Sequence, residues 1–151
     1  MKRIIPLLIA FVLLLSACGS STPKETEPPK LTLEEVKSEF DSALAQTFGE
    51  VGEYSISQQK NIIIMNVWSE GMTASALKAQ EDDQYKAAWN EMVEKFVNAQ
   101  ASLQKKLDDN GFSDVIAMLN IVNDTNHERM LLVVAKHQVM YDSVNGIDKL
   151  S

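Results

Sequence analysis

Apolar positions along the chain recur with two different periods, and each period predicts its own elements. Leu33, Val36, Phe40, Ala43, Leu44 and Thr47 are spaced by three and four residues and form one face of a helix. Thr32-Leu33-Glu34-Glu35 has the spacing of a capping box, so the helix starts after Thr32. Gly49 sits where it would stop. A longer stripe runs through Tyr85, Trp89, Met92, Phe96, Ala99, Leu103 and Leu107, with steps of 4-3-4-3-4-4. That stripe predicts a second helix over 84–109, its aromatic residues belonging to the core because they keep phase with Met92, Leu103 and Leu107. Asp82 and Asp83 favour its positive end, Lys105 and Lys106 its negative end, and Asn110-Gly111 terminates it. Residues 73–82 read as a weakly patterned helical stretch.

The remaining apolar blocks have the period of strands. Tyr54-Ser55-Ile56-Ser57 alternates, 58–61 forms a turn, and 62–68 is a second strand. Residues 115–122 predict a third strand and 123–128 a turn. Residues 129–141 predict one long fourth strand, followed by a tail that is either loose or docked through Val144, Ile147 and Leu150. The order is helix, strand, strand, helix, strand, strand. It predicts an α+β fold: a four-stranded, mainly antiparallel sheet with two main helices packed on one face.

Two of these strands are apolar on both sides. Ile62, Ile64 and Trp68 point one way, and Ile63, Met65 and Val67 the other. Met130, Leu132 and Val134 likewise oppose Leu131, Val133 and Ala135. A sheet with one wet face normally alternates apolar and polar, so strands like these need cover on both sides. Helices cover one face. Ile63, Met65, Val67, Leu131 and Val133 are taken as the second: either helix one or the C-terminal tail covers it, or it is an uncovered face suited to a homodimer, a hydrophobic ligand or a protein partner.

The N-terminus carries a different signal. Lys2 and Arg3 precede an apolar run over 4–15 that is too short to span a bilayer. Small residues follow at Ser16 and Ala17. A basic start, a short apolar core and a small-residue cut site predict a signal peptide over 1–17. Leu15-Ser16-Ala17-Cys18 resembles the lipobox of bacterial lipoproteins. The resemblance covers only residues 1–18. It implies cleavage before Cys18 and a diacylglyceryl group on its sulfur, which would anchor the chain to the bacterial cell membrane, facing outside the cytoplasm. Two acyl chains give the firm hold that one does not. Residues 18–30 then form the lipidated cysteine and a tether with no large apolar residue, and 31–151 a single domain.

Charge narrows the partners. Removing residues 1–17 takes Lys2 and Arg3, so the 14 basic residues fall to 12 against 21 acidic ones, a formal charge of −9. Arg129 is the one arginine left. Such a domain is poorly suited to nucleic acid, whose affinity rests on Lys and Arg at phosphates. An anionic membrane surface would repel it, so the membrane contact falls to the lipid on Cys18.

Catalytic chemistry finds little support. Cys18 is the only cysteine, so lipidation leaves no thiol for a disulfide, a nucleophile or a metal site. His127, in a turn, and His137, in a strand, have no histidine at metal spacing. No nucleophile elbow or nucleotide-phosphate motif is present. Asp124-x-Asn126-x-Glu128 has the opening rhythm of a calcium loop, but its sixth position is Arg129 instead of glycine. Local turn hydrogen bonding explains those side chains equally well. The expectation is a lipid-anchored, non-enzymatic binding or interaction domain of the cell envelope with no cofactor and no metal. A hydrolase with dispersed residues, pairing an Asp or Glu with His137, and a structural, self-associating lipoprotein remain open.

Overall fold

In the computed structural model, which describes residues 30–150, Thr32 caps the first helix as its spacing to Glu35 dictates. The Thr32 N–H donates to Glu35 Oε2 at 2.7 Å, and the Glu35 N–H donates to Thr32 Oγ1 at 3.3 Å. The hydrogen bond from the Thr32 backbone, with that from its side chain, holds the Glu35 carboxyl below its ordinary pKa. Helix α1 (Leu33–Phe48) buries Val36, Phe40, Leu44, Thr47 and Phe48. The expected signal peptide over 1–17, the expected lipidation site Cys18 and the expected tether as far as residue 29 lie outside the described residues.

Strands β1 (Glu53–Gln59) and β2 (Ile62–Trp68) form the first hairpin. Then come α2 (Met72–Glu81) and α3 (Asp83–Asp109). Asp82 alone separates these two helices. Its backbone is extended, at φ −129° and ψ 118°, which breaks the helical path. Its carboxylate then accepts from the N–H groups of Gln84 and Tyr85 and caps α3. The chain finishes with β3 (Ile116–Val122), β4 (Met130–Ala135), β5 (Gln138–Asp142) and the two-residue β6 (Ile147–Asp148).

The six strands form one mixed sheet in the order β1-β2-β3-β4-β5-β6. This corrects the expected four-stranded, mainly antiparallel sheet with two helices. The pair β2–β3 is parallel, with Ile62 beside Ile116 and Val67 beside Ile121. Each predicted hairpin forms, but the segment joining them spans two helices and returns the chain to the edge where β2 began. Such a crossover makes parallel neighbours, whereas a short turn makes antiparallel ones.

The expected long fourth strand is in fact β4 and β5. Lys136 and His137 form a two-residue turn between the paired Ala135 and Gln138. Both have positive φ, 51° and 61°, as a type I′ hairpin turn requires. Asparagine and glycine are the usual residues there, so the pair Lys-His gave no turn signal in the sequence. The tail is docked and not loose: Val144 is buried in the core, and Ile147 belongs to β6, which pairs with β5.

All three helices lie on one side of the sheet. Their apolar residues share a single core with Ile63, Met65 and Val67 of β2, Ala117, Leu119 and Ile121 of β3, and Leu132 and Val134 of β4. The opposite face is the one that bears on function.

Candidate functional site

Residues paired across neighbouring strands point to the same face, so the register sorts the side chains. Val67 pairs with Ile121, and Ile121 with Leu132; all three are in the helix-side core. Ile63 and Met65 share that side and are 0% exposed. The uncovered face expected at Ile63, Met65 and Val67 is therefore buried in the helix-side core. Leu131, beside a β-bulge at Ile121/Val122, is also buried in that core. Of the five residues, only Val133 lies on the far side, in a row with Asn66, Asn120 and Tyr141, and it is itself buried.

The far face is built from the other parity. Ile62 pairs with Ile116 and Ile64 with Met118, giving a block of four aliphatic side chains across two adjacent parallel strands. All four are partly exposed, and none belongs to the helix-side core or packs against it. Exposed Ser57 and Gln59 of β1 flank the block on one side, opposite Ile64 and Ile62. Buried Ala135 and exposed Gln138 continue the Met118 row on the other. The face carries no charged side chain across these two rows.

Above the block lies an asparagine pair. Asn120 Nδ2 donates to Asn66 Oδ1 at 2.9 Å. Asn120 is 1% exposed, yet its Oδ1 accepts no hydrogen bond among the described residues. A buried acceptor left unpaired costs about 1–3 kcal/mol. At the end of the same face Trp68 stacks against His127, with ring centroids 4.2 Å apart. His127 comes from the turn between β3 and β4.

Side-chain hydrogen bonds hold that turn. Asn123 Oδ1 accepts from the N–H groups of Thr125 and Asn126, and Asn126 Oδ1 accepts from the Glu128 N–H. Asp124 reaches across to the start of α2. It accepts from the Gly71 N–H at 2.7 Å, the Thr73 N–H at 3.2 Å and the Thr73 hydroxyl. Burial pushes the Asp124 carboxyl up, but these hydrogen bonds together outweigh burial and hold it below its ordinary value. No group of three His, Cys, Asp or Glu that could hold a metal ion occurs among the described residues.

His137 lies in the β4–β5 turn and is exposed, so the predicted strand position is corrected along with the strand. His127 is exposed as well. Two of the buried polar side chains, Gln104 and Asp142, hold backbone groups of the fold. Gln104 accepts from the Ala117 N–H and donates to the Val115 carbonyl, at 3.0 and 2.9 Å. It thus takes the place of a neighbouring strand at the start of β3, beyond the end of β4. Asp142 accepts from the Trp89 indole at 3.0 Å and from the backbone N–H groups of Val144 and Asn145.

The far-face residues Ile62, Ile64, Ile116 and Met118 carried a signal in the sequence. Asn66 has the parity of Ile62 and Ile64, and Asn120 that of Ile116 and Met118. A polar residue inside an otherwise apolar strand marks the side closer to water. Comparison of the chain with protein-family models, with curated proteins and with solved structures gave no match.

Proposed function

We propose that this chain is a lipid-tethered, non-enzymatic interaction domain of the bacterial cell envelope, and that it binds a protein partner through the helix-free face of its sheet. The observation that carries the reading is the block of Ile62, Ile64, Ile116 and Met118, partly exposed and outside the core. Four apolar side chains side by side on an open sheet face suit another protein surface better than a small molecule, which binds in concave sites. The block is uncharged in a domain of formal charge −9 once residues 1–17 are removed. Its contact would therefore rest on apolar burial instead of charge matching. The lipid on Cys18 would hold the domain at the membrane, and the tether would let the face turn toward a partner.

A photo-crosslinking residue placed at Ile64 or Met118 of the full chain in cells tests the surface. Discrete products are expected from both positions and none from Ser102, on the exposed side of α3. No product at 64 and 118, or equal products at 102, would defeat the reading. The anchor is tested separately by Cys18→Ser, which is expected to abolish incorporation of labelled fatty acid. Persistent labelling of the variant would remove the anchor.

A further inference from the structure

Asparagine followed by glycine occurs twice, at Asn110-Gly111 and Asn145-Gly146. This dipeptide has a chemistry of its own. Glycine has no side chain to obstruct its backbone nitrogen, which can reach the amide carbon of the asparagine and displace ammonia. The two copies are held differently.

Asn110 follows α3 with its reacting groups engaged. Its Oδ1 accepts the Leu31 N–H at 2.7 Å, and its Nδ2 donates to the Lys106 carbonyl at 2.8 Å. The attacking group is engaged too, since the Gly111 N–H donates to the Asp108 carbonyl at 3.0 Å. Asn145 lies in the turn over 143–146 between β5 and β6, and both it and Gly146 are exposed. Its Nδ2 donates to Asp142 Oδ2 at 2.7 Å and to Asn90 Oδ1 at 2.9 Å. Those bonds hold only the leaving nitrogen. Among the described residues, Asn145 Oδ1 accepts no hydrogen bond and the Gly146 N–H donates none.

From these observations we infer that Asn145 is a site of spontaneous deamidation, and that its product loosens the β5–β6 turn from α3. The Gly146 nitrogen loses its proton and bonds to Asn145 Cγ. The Cγ–Nδ2 bond breaks, and that nitrogen leaves as ammonia with the proton. One water then adds across a C–N bond of the succinimide ring, giving aspartate or isoaspartate.

Aspartate puts a carboxylate where the amide stood. Asn90 can turn its own amide round and donate to it. Asp142 cannot, because a carboxylate has no proton to offer. Two like charges then meet where Nδ2 and Oδ2 were 2.7 Å apart. Asp142 is 1% exposed and accepts from the Trp89 indole and the Val144 N–H, so moving aside breaks those bonds. Isoaspartate instead adds a carbon to the backbone between the paired Asp142 and Ile147, which disturbs the register that the turn sets. This inference is independent of the far face and of the anchor.

Ageing the full chain in detergent, in mildly alkaline buffer, is the test, with one sample folded and one in concentrated urea. Trypsin separates the sites. Residues 137–149 hold Asn145 as their only asparagine, and residues 107–129 hold Asn110. Fragment-ion mass spectrometry locates the deamidated residue. Relative to urea, folding is expected to favour Asn145 over Asn110 about fivefold, the effect of one ordinary hydrogen bond on the Gly111 N–H. A ratio that folding leaves unchanged, or moves toward Asn110, would overturn the assignment. So would an Asn145 still intact in the folded chain when the urea sample has reacted completely. The consequence is read from two variants at neutral pH. Asn145→Ala removes the bonds to Asp142 and Asn90 without adding charge, whereas Asn145→Asp adds the charge. The Tm of Asn145→Asp is expected to lie about 3 °C below that of Asn145→Ala. Equal values, or a more stable Asn145→Asp, would show that the new carboxylate does not loosen the turn.

Discussion

Gln100 Oε1 accepts the backbone N–H of His137 at 2.9 Å, joining the middle of the long helix to the tip of the β4–β5 hairpin. The same side chain donates from Nε2 to the Ala117 carbonyl at 2.8 Å. It is 0% exposed. One glutamine thus satisfies two backbone groups that no strand reaches, at the point where the chain turns through two residues with positive φ.

Replacing Gln100 by Leu keeps the bulk and removes both bonds. A loss of about 1–3 kcal/mol is expected, the cost of stranding buried polar groups. Urea denaturation measures it, and a midpoint equal to wild type would show that water serves these groups equally well.

The turn itself offers a gain. A non-glycine residue in the left-handed region costs roughly 1 kcal/mol or more. Lys136→Asn/His137→Gly installs the residues that this turn prefers, and a stabilisation of about 1 kcal/mol is expected. Thermal unfolding reads it as a raised Tm.

Trp89 combines bulk with a polar role, because its indole N–H serves the buried Asp142. Trp89→Phe is expected to cost about 1.5–3 kcal/mol, the range for a hydrogen bond to a charged group. Trp89→Ala loses the packing too and should cost about 3–5 kcal/mol. Equal losses in the two variants would show that the indole bond contributes little.

Asp124 gives a pH dependence with a definite sign. Its carboxyl titrates lower in the folded chain than at its ordinary value of 3.8. The folded state therefore favours the charged form, and the stability so gained is complete above that value. It is lost as pH falls through the lower folded value. Asp124→Ala should be less stable than wild type by a constant amount at neutral pH. The gap should shrink steadily under acid, below pH 3.8. Denaturation of both proteins across pH checks this, and a gap that widened in acid would contradict the assigned bonds.

Two neighbouring substitutions on β2 separate the faces of the sheet. Val67→Lys buries an unpaired charge in the helix-side core and should unfold the domain. Ile64→Lys lies on the partly exposed far face and should leave the domain folded, at a cost of roughly 1 kcal/mol. Circular dichroism distinguishes them.

Wherever the information is local, the sequence determined the structure. Thr32 and Glu35 fix the start of α1 through their own hydrogen bonds. The stripe from Tyr85 to Leu107 makes α3 because residues three and four apart share a helix face. The alternation of Tyr54 to Ser57 gives a strand for the same kind of reason. What only the tertiary structure decided depends on groups far apart in the chain. Residues 62–68 are apolar on both sides, so their own pattern does not say which side meets the helices. The tertiary packing does, by placing Ile63, Met65 and Val67 in the core that they share with the helices. The buried face of α3 includes Gln100 and Gln104 because the start of β3 lacks a strand on one side, and that need is invisible from the helix alone. Lys136 and His137 form a turn against their own preferences because Gln100 accepts the His137 N–H there. In each case a distant partner outweighs a local preference of about 1 kcal/mol, and periodicity records only the preference.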